Sequence, residues 1–207
     1  MDALQKEGYS KFLNDYFDQN KDLFDALSRG QQPDTLLITC SDSRINPALL
    51  LNADPGKLFI VRNIGNAVPH YQPEQGSTQA AIEYAIQVLQ VQKIVILGHS
   101  NCGACAHLYH EHRADDPALP HVDAWLRYLE PAKNAAMLAV HADPSKNIFE
   151  MTEKHNVIIS LRRLMGYPQV QERLMGDELK LHGWWYEIGT GKVEQYSYTT
   201  NNFEPVV

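Results

Sequence analysis

The chain has 207 residues, of which 44% are hydrophobic and 21% are charged, a composition typical of a globular protein with one domain or one domain and an appendage. With 18 Lys and Arg against 25 Asp and Glu, the formal net charge is −7. A mildly acidic chain has no electrostatic affinity for nucleic acid or for an anionic membrane surface. We therefore expect neither as a partner.

The cysteine count and the N-terminal sequence indicate a cytoplasmic protein. Three cysteines, Cys40, Cys102 and Cys105, are an odd number and poor material for a disulfide framework. The N-terminal segment lacks the charged and then apolar order of a secretory signal. No stretch approaches the ~20 consecutive apolar residues of a membrane-spanning helix.

The first half of the chain predicts a helix followed by strands and helices in alternation. Apolar residues recur at steps of three and four over residues 3–29, and Gly30 is a plausible helix end. Three short apolar, β-branched runs follow, at residues 35–39, 57–61 and 93–97. An amphipathic helix is predicted between the last two, over residues 76–90. Such alternation is typical of a parallel sheet with helices on both faces.

The second half predicts more helices and a final hairpin. Residues 122–140 and 164–180 have helical patterns, whereas residues 157–161 fit either a strand or the start of a helix. Residues 183–200 predict two antiparallel strands at an edge of the sheet, joined by a turn at residues 189–192. The expected fold is thus α/β: a central, mainly parallel sheet flanked by helices, an N-terminal helical arm and an antiparallel C-terminal edge hairpin.

Three potential metal ligands come directly after predicted strands. Cys40 follows the first strand, and His99 with Cys102 follows the third. Ligands of parallel sheets gather at the carboxyl ends of the strands, and zinc prefers thiolate and imidazole donors. A His-x-x-Cys pair is weak evidence alone, and an isolated cysteine is more often a small buried hydrophobe. The position of all three after strands favours a metal site.

Two motifs, CSDSR (40–44) and HSNCG (99–103), resemble those of the β-carbonic anhydrases. The resemblance continues, in the family's order, through VRNIGNAVP (61–69), AAIEYAIQVL (80–89), IVILGHSNCGA (94–104) and LHGWWYEIGTGKV (181–193). It implies reversible hydration of carbon dioxide to bicarbonate and a proton. It also implies one Zn²⁺ per chain, held by Cys40, His99 and Cys102 in a catalytic α/β domain spanning residues 31–207.

The resemblance also assigns catalytic roles to Asp42 and Arg44. Three protein ligands leave one position for water, whose pKa the metal lowers so that hydroxide becomes the nucleophile. In the family, the aspartate orients that hydroxide and the arginine holds the aspartate. In a closed form of the site, Asp42 becomes the fourth metal ligand. Because two thiolates neutralise much of the ion's charge, we expect activity to rise toward alkaline pH.

The family pattern further implies a substrate pocket and an oligomer. Phe59, Ile64 and Tyr84 would line an apolar carbon dioxide pocket, although Phe59 and Ile64 fit simple core packing nearly as well. Gln31 and the backbone N–H of Gly103 would bind the bicarbonate oxygens. Part of the pocket comes from a neighbouring subunit in the family, so a homodimer or larger homo-oligomer is expected, with the arm at residues 1–30 embracing the partner.

One position departs from part of the family. Members with a regulatory bicarbonate pocket carry a tryptophan three residues before the first cysteine ligand, where this chain has Leu37. Arg62 is present, but an arginine without the tryptophan is a poor case for that pocket. The departure favours the constitutively open subclass.

The remaining chemistry-bearing residues include three histidines, one cysteine and two tryptophans. His107, His110 and His112 could relay the proton released at the metal, or they could be solvated surface histidines. Cys105 reads as a packed thiol, since the family does not use it. Trp184 and Trp185 read as core and interface residues.

Three other functions stay open from the sequence. Relatives of the family hydrolyse carbon disulfide with the same zinc and the same Asp-Arg pair. A zinc-binding homologue without catalysis is a second alternative, against which the intact pair of Asp42 and Arg44 argues. A thiol-redox role for Cys102 and Cys105 is the third.

Overall fold

The structure is a computed structural model that describes residues 2–72, 76–111 and 115–207. The chain divides into two compact units, of which the first ends at Gln32 and the second spans Pro33–Val207. Within the described residues, no helix combines the length and the apolar character that crossing a membrane requires.

The first unit is helical, as predicted, but its winding changes along its length. Helix α1 (Ala3–Lys11) starts at a capping box in which Asp2 and Gln5 satisfy each other's backbone N–H groups. A π-helical turn (Phe12–Phe17) and a 3₁₀ turn (Asp18–Asn20) then lead to α2 (Lys21–Leu27). Phe12 and Phe17 pack against Phe24, with ring centroids 5.9 and 4.8 Å apart. This aromatic contact across the irregular turns joins the two helices.

The second unit is built on one six-stranded sheet in the order β2-β1-β3-β4-β5-β6. Its strands are β1 (Thr35–Cys40), β2 (Leu58–Asn63), β3 (Lys93–His99), β4 (Lys180–Glu187), β5 (Lys192–Ser197) and β6 (Asn202–Pro205). The first four strands run parallel to one another, whereas β5 pairs antiparallel with both β4 and β6. The predicted mainly parallel sheet with an antiparallel C-terminal hairpin is confirmed. Strand β6 was not predicted, because four residues containing Asn and Pro carry little strand signal.

The helices of this unit differ in part from the sequence prediction. They are α3 (Pro47–Leu50), α4 (Ser77–Gln87), α5 (Gly103–His107), α6 (Pro120–Leu126), α7 (Glu130–Ala142), α8 (Ile148–Leu164) and α9 (Pro168–Met175). The single helix predicted over 122–140 is two helices, since Pro131 lies in the first turn of α7, where proline starts a helix. The helix predicted over 164–180 is shorter, and β4 begins at Lys180.

The ambiguous segment 157–161 is helical and lies within α8, the longest helix of the described residues. Asn147 caps α8 by accepting hydrogen bonds from the backbone N–H groups of Phe149 and Glu150. The helix was missed from the sequence because polar residues interrupt its buried face. These buried residues are Thr152, Glu153, Asn156, Ser160 and Arg163.

Both faces of the central strands are buried, which explains their continuous apolar sequences. Leu36 and Ile38 of β1 pack into the main core with residues of α4, α8 and α9. Leu37, on the opposite face, packs with Ile45, Val95 and Leu97.

Candidate metal centre

The carboxyl ends of β1 and β3 bring the three predicted ligands together. Cys40 is the last residue of β1 and His99 the last of β3. After His99 the chain turns through Asn101, whose φ is +54°, and Cys102 forms the N-cap of α5. Cys40, His99 and Cys102 are all buried, and their ligand atoms lie within 4.8 Å of one another. Such a cluster could hold a metal ion.

The donors of this cluster fit a divalent metal such as zinc. His99 Nδ1 lies 2.9 Å from the carbonyl oxygen of Ser100. Because a carbonyl oxygen only accepts hydrogen bonds, the ring proton belongs on Nδ1, and Nε2 carries the free lone pair. His99 Nε2 is buried and has no hydrogen-bond partner in the structure. A buried lone pair beside two sulfurs is the donor set that zinc prefers.

The two thiols are protonated as long as no cation lies between them. The nearby Cys102 thiol and then burial raise the pKa of Cys40 to about 12. The Cys105 thiol and burial raise the pKa of Cys102 to about 12, against the opposing effect of Cys40. A bound divalent ion favours the thiolates instead, so metal binding at this site releases protons.

Asp42 and Arg44 form a two-point ion pair beside the cluster. Arg44 donates from its backbone N and from Nε to Asp42 Oδ1, at 3.0 and 2.9 Å, and from Nη2 to Oδ2 at 2.6 Å. The same Nη2 donates to the carbonyl oxygen of Asn101 at 2.9 Å. Arg44 thereby links the loop after β1 to the loop after β3. Its hydrogen bonds are the main reason that the pKa of Asp42 lies well below its ordinary value.

The free lone pair of Asp42 is on the side of the metal ligands. Oδ2 accepts one hydrogen bond from Arg44 whereas Oδ1 accepts two, so Oδ2 keeps capacity for another donor. Asp42 Oδ2 lies 3.9 Å from His99 Nε2. Asp42 therefore faces the cluster while Arg44 holds it.

Arg62 is engaged by the backbone of the same loop. Its Nε donates to the carbonyl oxygen of Cys40 at 3.1 Å, and its Nη2 to that of Asp42 at 2.6 Å. Arg62 thus fixes the backbone on both sides of Ser41. Leu37, on the neighbouring strand, is fully buried in the sheet.

The residues predicted to bind substrate belong to several different elements of the fold. The rings of Phe59 and Tyr84 are neighbours, with centroids 5.9 Å apart. Ile64 is 44% exposed and Tyr84 45% exposed. Gly103 is the first residue of α5 and faces open space, whereas Gln31 belongs to the first unit. Their roles in substrate binding stay predictions.

The histidines after the metal loop are paired with carboxylates. His107 Nε2 lies 3.5 Å from Asp123 Oδ1, and His110 Nε2 lies 2.7 Å from Asp116 Oδ2. His112, the third histidine of the predicted relay, lies outside the described residues. Side chains already held in pairs fit the surface interpretation better than a relay.

Cys105 and the two tryptophans, Trp184 and Trp185, are packed as the sequence analysis expects. Cys105 is a buried free thiol, and Trp185 is buried in the second unit. Trp184 is partly buried against the core on the other face of the sheet.

Three residues that support the cluster were missed by the sequence analysis. The backbone N–H of Gly65 donates to Cys40 Sγ at 3.4 Å. Glu153 accepts a hydrogen bond from the backbone N–H of Cys102 at 2.9 Å, and Asn156 donates to the carbonyl oxygen of Gly65 at 2.6 Å. The only sequence signal for the last two is their spacing of three residues on one face of a helix.

Comparisons with known proteins identify the family of the chain. The carbonic anhydrase family model matches residues 35–193. A carbonic anhydrase of Helicobacter pylori is 37% identical over 207 residues, which cover 96% of this chain and 92% of the relative. Carbonic anhydrase 1 of Escherichia coli is 40% identical over 201 residues, which cover 97% of this chain and 90% of the relative.

Solved structures give the same result for the fold. The β-carbonic anhydrase CcaA superposes with a TM-score of 0.87 at 34% identity, covering 98% of this chain and 91% of that one. A tetrameric β-carbonic anhydrase of Sordaria macrospora superposes with a TM-score of 0.81 at 30% identity, covering 93% and 94%. With the family model, the relatives and the fold in agreement, the chain belongs to the β-carbonic anhydrase family.

Proposed function

We propose that this protein is a zinc-dependent carbonic anhydrase that interconverts carbon dioxide and bicarbonate at Cys40, His99 and Cys102. The observation that carries the proposal is the unpartnered Nε2 of His99, buried between two thiols with a held carboxylate beside it. A purely structural metal site has no use for a carboxylate that faces the ligands without joining them. Membership of the family supplies the reaction.

The proposed role of each residue follows from its metal-binding or hydrogen-bonding atoms. Cys40, His99 and Cys102 would hold one Zn²⁺ per chain, which would supply a water-derived nucleophile at neutral pH. Asp42 accepts a hydrogen bond from the attacking O–H group at Oδ2 and so orients it toward the carbon of the substrate. Arg44 keeps Asp42 ionised and occupies Oδ1, which leaves Oδ2 as the oxygen for this contact.

We also propose that the open form of the site is the resting form. Asp42 is held by three hydrogen bonds from Arg44, and Arg62 holds the carbonyl oxygen of Asp42. To become a fourth ligand, Asp42 would have to give up the Arg44 contacts. Leu37 and the engaged Arg62 argue in the same direction, because neither offers a regulatory anion pocket.

A homo-oligomer would complete the substrate pocket in this proposal. Ile64 and Tyr84 are large hydrophobic side chains that are nearly half exposed in the single chain. A second copy that covers them would turn this surface into an apolar pocket for carbon dioxide, together with Phe59. The Sordaria macrospora relative, which is described as tetrameric, supports association. The helical first unit would embrace the partner, while Gln31 and Gly103 N–H would bind bicarbonate.

A cytoplasmic location also belongs to the proposal. Cys40, Cys102 and Cys105 are free thiols, as expected in a reducing compartment.

Stopped-flow hydration of carbon dioxide on protein of known zinc content tests the function. We expect fast hydration that increases from pH 7 to pH 8.5, that disappears after the zinc is removed by a chelator, and that returns when zinc is added back. Zinc-loaded protein that does not hydrate carbon dioxide at either pH would overturn the proposal. Carbon disulfide would then be the next substrate to test.

A further inference from the structure

Helix α8 carries a row of buried polar side chains that bond the backbone at Cys102 and over residues 65–68, next to Cys40. Glu153, Asn156, Ser160 and Arg163 follow each other at steps of three and four and therefore lie on one face of the helix. Each is at most 6% exposed. A buried polar group is costly unless it is hydrogen-bonded, so the partners of this row indicate what it stabilises.

Glu153 is bonded to the loop of the third ligand. Its Oε1 accepts from the backbone N–H of Cys102 at 2.9 Å, and its Oε2 accepts from Trp185 Nε1 at 3.1 Å. Lys154 Nζ lies 4.4 Å from the centre of the Trp185 ring, where a cation attracts the ring's π electrons. The Glu153 carboxylate is thus fixed from the sheet side by Trp185 and points its other oxygen at Cys102.

Asn156, one turn further along α8, is bonded to the loop beside the first ligand. Its Nδ2 donates to the carbonyl oxygen of Gly65 at 2.6 Å, and the N–H of Gly65 donates to Cys40 Sγ at 3.4 Å. Gly65 has φ +72°, and a Cβ there would lie 2.7 Å from Leu129 Cδ2. Only glycine fits this position, and Asn156 holds the peptide that presents its N–H to the sulfur.

Two further residues of the row bond the segment that follows Gly65. Ser160 Oγ donates to the carbonyl oxygen of Asn66 at 3.3 Å and accepts from the backbone N–H of Val68 at 3.2 Å. Arg163 Nη1 donates to the carbonyl oxygen of Val68 at 2.9 Å. These contacts fix the path of residues 65–68, from which Gly65 approaches Cys40.

We propose that Glu153 and Asn156 are positioning residues of the metal centre, through which one helix sets both sulfur ligands. Cys40 and Cys102 come from different strands. Helix α8 bonds the backbone of Cys102 directly through Glu153, and it reaches Cys40 through Asn156 and the segment at Gly65, whose N–H donates to Cys40 Sγ. Outer residues that orient metal ligands typically contribute about 10–100-fold in metal affinity. The inference rests on the proposed function only in requiring that the centre bind a divalent metal.

A purely structural role for the row makes a different prediction. If Glu153 only docks α8 on the sheet, its loss lowers the stability of the fold but leaves the zinc affinity of the folded protein unchanged. If Glu153 positions Cys102, its loss weakens zinc binding in protein that is still folded. Metal affinity, measured separately from activity and stability, therefore distinguishes the two roles.

The main test compares Glu153→Gln with Glu150→Gln on the same helix. Glutamine keeps one acceptor oxygen, but it removes the charge and sets an NH₂ group against one of the two N–H donors. Glu150 contacts Lys154, which Glu194 also holds at 2.7 Å, so its change leaves Lys154 paired. Competition with a chromophoric chelator gives the Zn²⁺ dissociation constant, and Co²⁺ substitution gives the visible spectrum of the thiolate-bound metal.

We expect E153Q to bind Zn²⁺ about 10–100-fold more weakly than the wild type and to shift the Co²⁺ spectrum. E150Q should stay within about twofold, since it alters only a partly exposed ion pair. Equal affinities and spectra in E153Q and wild type would overturn the positioning role. A wild type that binds neither metal would overturn the proposed function as well, so the two failures are distinguishable.

Two further variants keep the test informative if E153Q does not fold. Trp185→Phe keeps an aromatic ring but removes the Nε1–H that fixes Glu153, and we expect it to weaken zinc binding by about tenfold. Asn156→Ala removes the donor to Gly65 and should weaken binding to a similar extent through Cys40. Folded W185F and N156A proteins with the wild-type zinc affinity would contradict the proposal.

Discussion

The two loops that carry the proposed metal ligands are held in contrasting ways. The loop after β1, which carries Cys40 and Asp42, is held by the guanidinium groups of Arg44 and Arg62. The Arg44 side chain is 47% exposed. The loop after β3, which carries Cys102, also accepts a hydrogen bond from Arg44 at the carbonyl oxygen of Asn101. The N–H of Cys102 itself, however, is held by the carboxylate of Glu153, a residue that is only 3% exposed.

This difference indicates different tasks for the groups that hold the two loops. Partly exposed, positively charged groups suit a loop whose carboxylate must stay ionised and meet substrate from solvent. A buried carboxylate bonded to a backbone N–H has no access to substrate, and it suits the fixing of a metal ligand. We therefore expect Asp42 and Arg44 to serve the chemistry and Glu153 to serve metal retention.

The largest expected effect is the loss of a metal ligand. Cys102→Ser should lower zinc affinity by more than the roughly 10–100-fold attributed to outer residues, and hydration should be lost with the metal. Cys105→Ser is the matched control, because Cys105 is also a buried thiol and lies three residues further along. Zinc quantification after dialysis measures both. A similar loss of zinc in the two variants would contradict the assignment of Cys102.

A smaller effect is expected at Arg44, and it should fall on turnover. Arg44→Lys keeps a positive charge but cannot make the two-point contact with Asp42. We expect hydration to slow by about tenfold or more while the zinc content stays at the wild-type level. The exposed Arg127→Lys variant serves as the control. Loss of zinc in parallel with loss of activity would show that Arg44 also serves metal retention.

The smallest effect concerns stability below neutral pH. Burial lowers the pKa of His155, on α8, below its ordinary value. The unfolded chain therefore binds a proton at this residue more readily than the folded chain does. The contribution of His155 to stability is complete above pH ~6.5 and is lost as the pH falls through that value.

Thermal unfolding of metal-free protein at pH 7.5 and 5.5 measures this contribution, because no metal is released during the titration. The wild type should lose about 2–4 °C more than His155→Gln on acidification. A wild type and a variant with the same pH dependence would show that the environment of His155 is open to water.

The sequence predicted the ligands because they depend on the sheet. Short apolar runs place Cys40 and His99 at strand ends, and parallel strands bring these ends to one edge. The ion pair of Asp42 and Arg44 was expected from the family resemblance. Their catalytic roles came from the family resemblance and stay proposals.

The supporting residues could not be predicted because they come from a distant part of the chain. Glu153 lies about fifty residues from Cys102 along the sequence, and Asn156 lies still further from Gly65. Both belong to a helix whose polar face is buried rather than solvated. A reader of the sequence expects such a polar face to point outward. The 157–161 segment stayed ambiguous for the same reason.

The most direct test of the account is stopped-flow hydration by Asp42→Asn on samples whose zinc content is also measured, beside the wild type. The account predicts about a hundredfold or greater loss of hydration at pH 7 and 8.5, with one zinc still bound per chain. Asparagine keeps the shape of the side chain but removes the charge that Arg44 holds in place. Wild-type hydration in the zinc-loaded variant, or loss of its zinc, would contradict the separation of chemistry from metal retention.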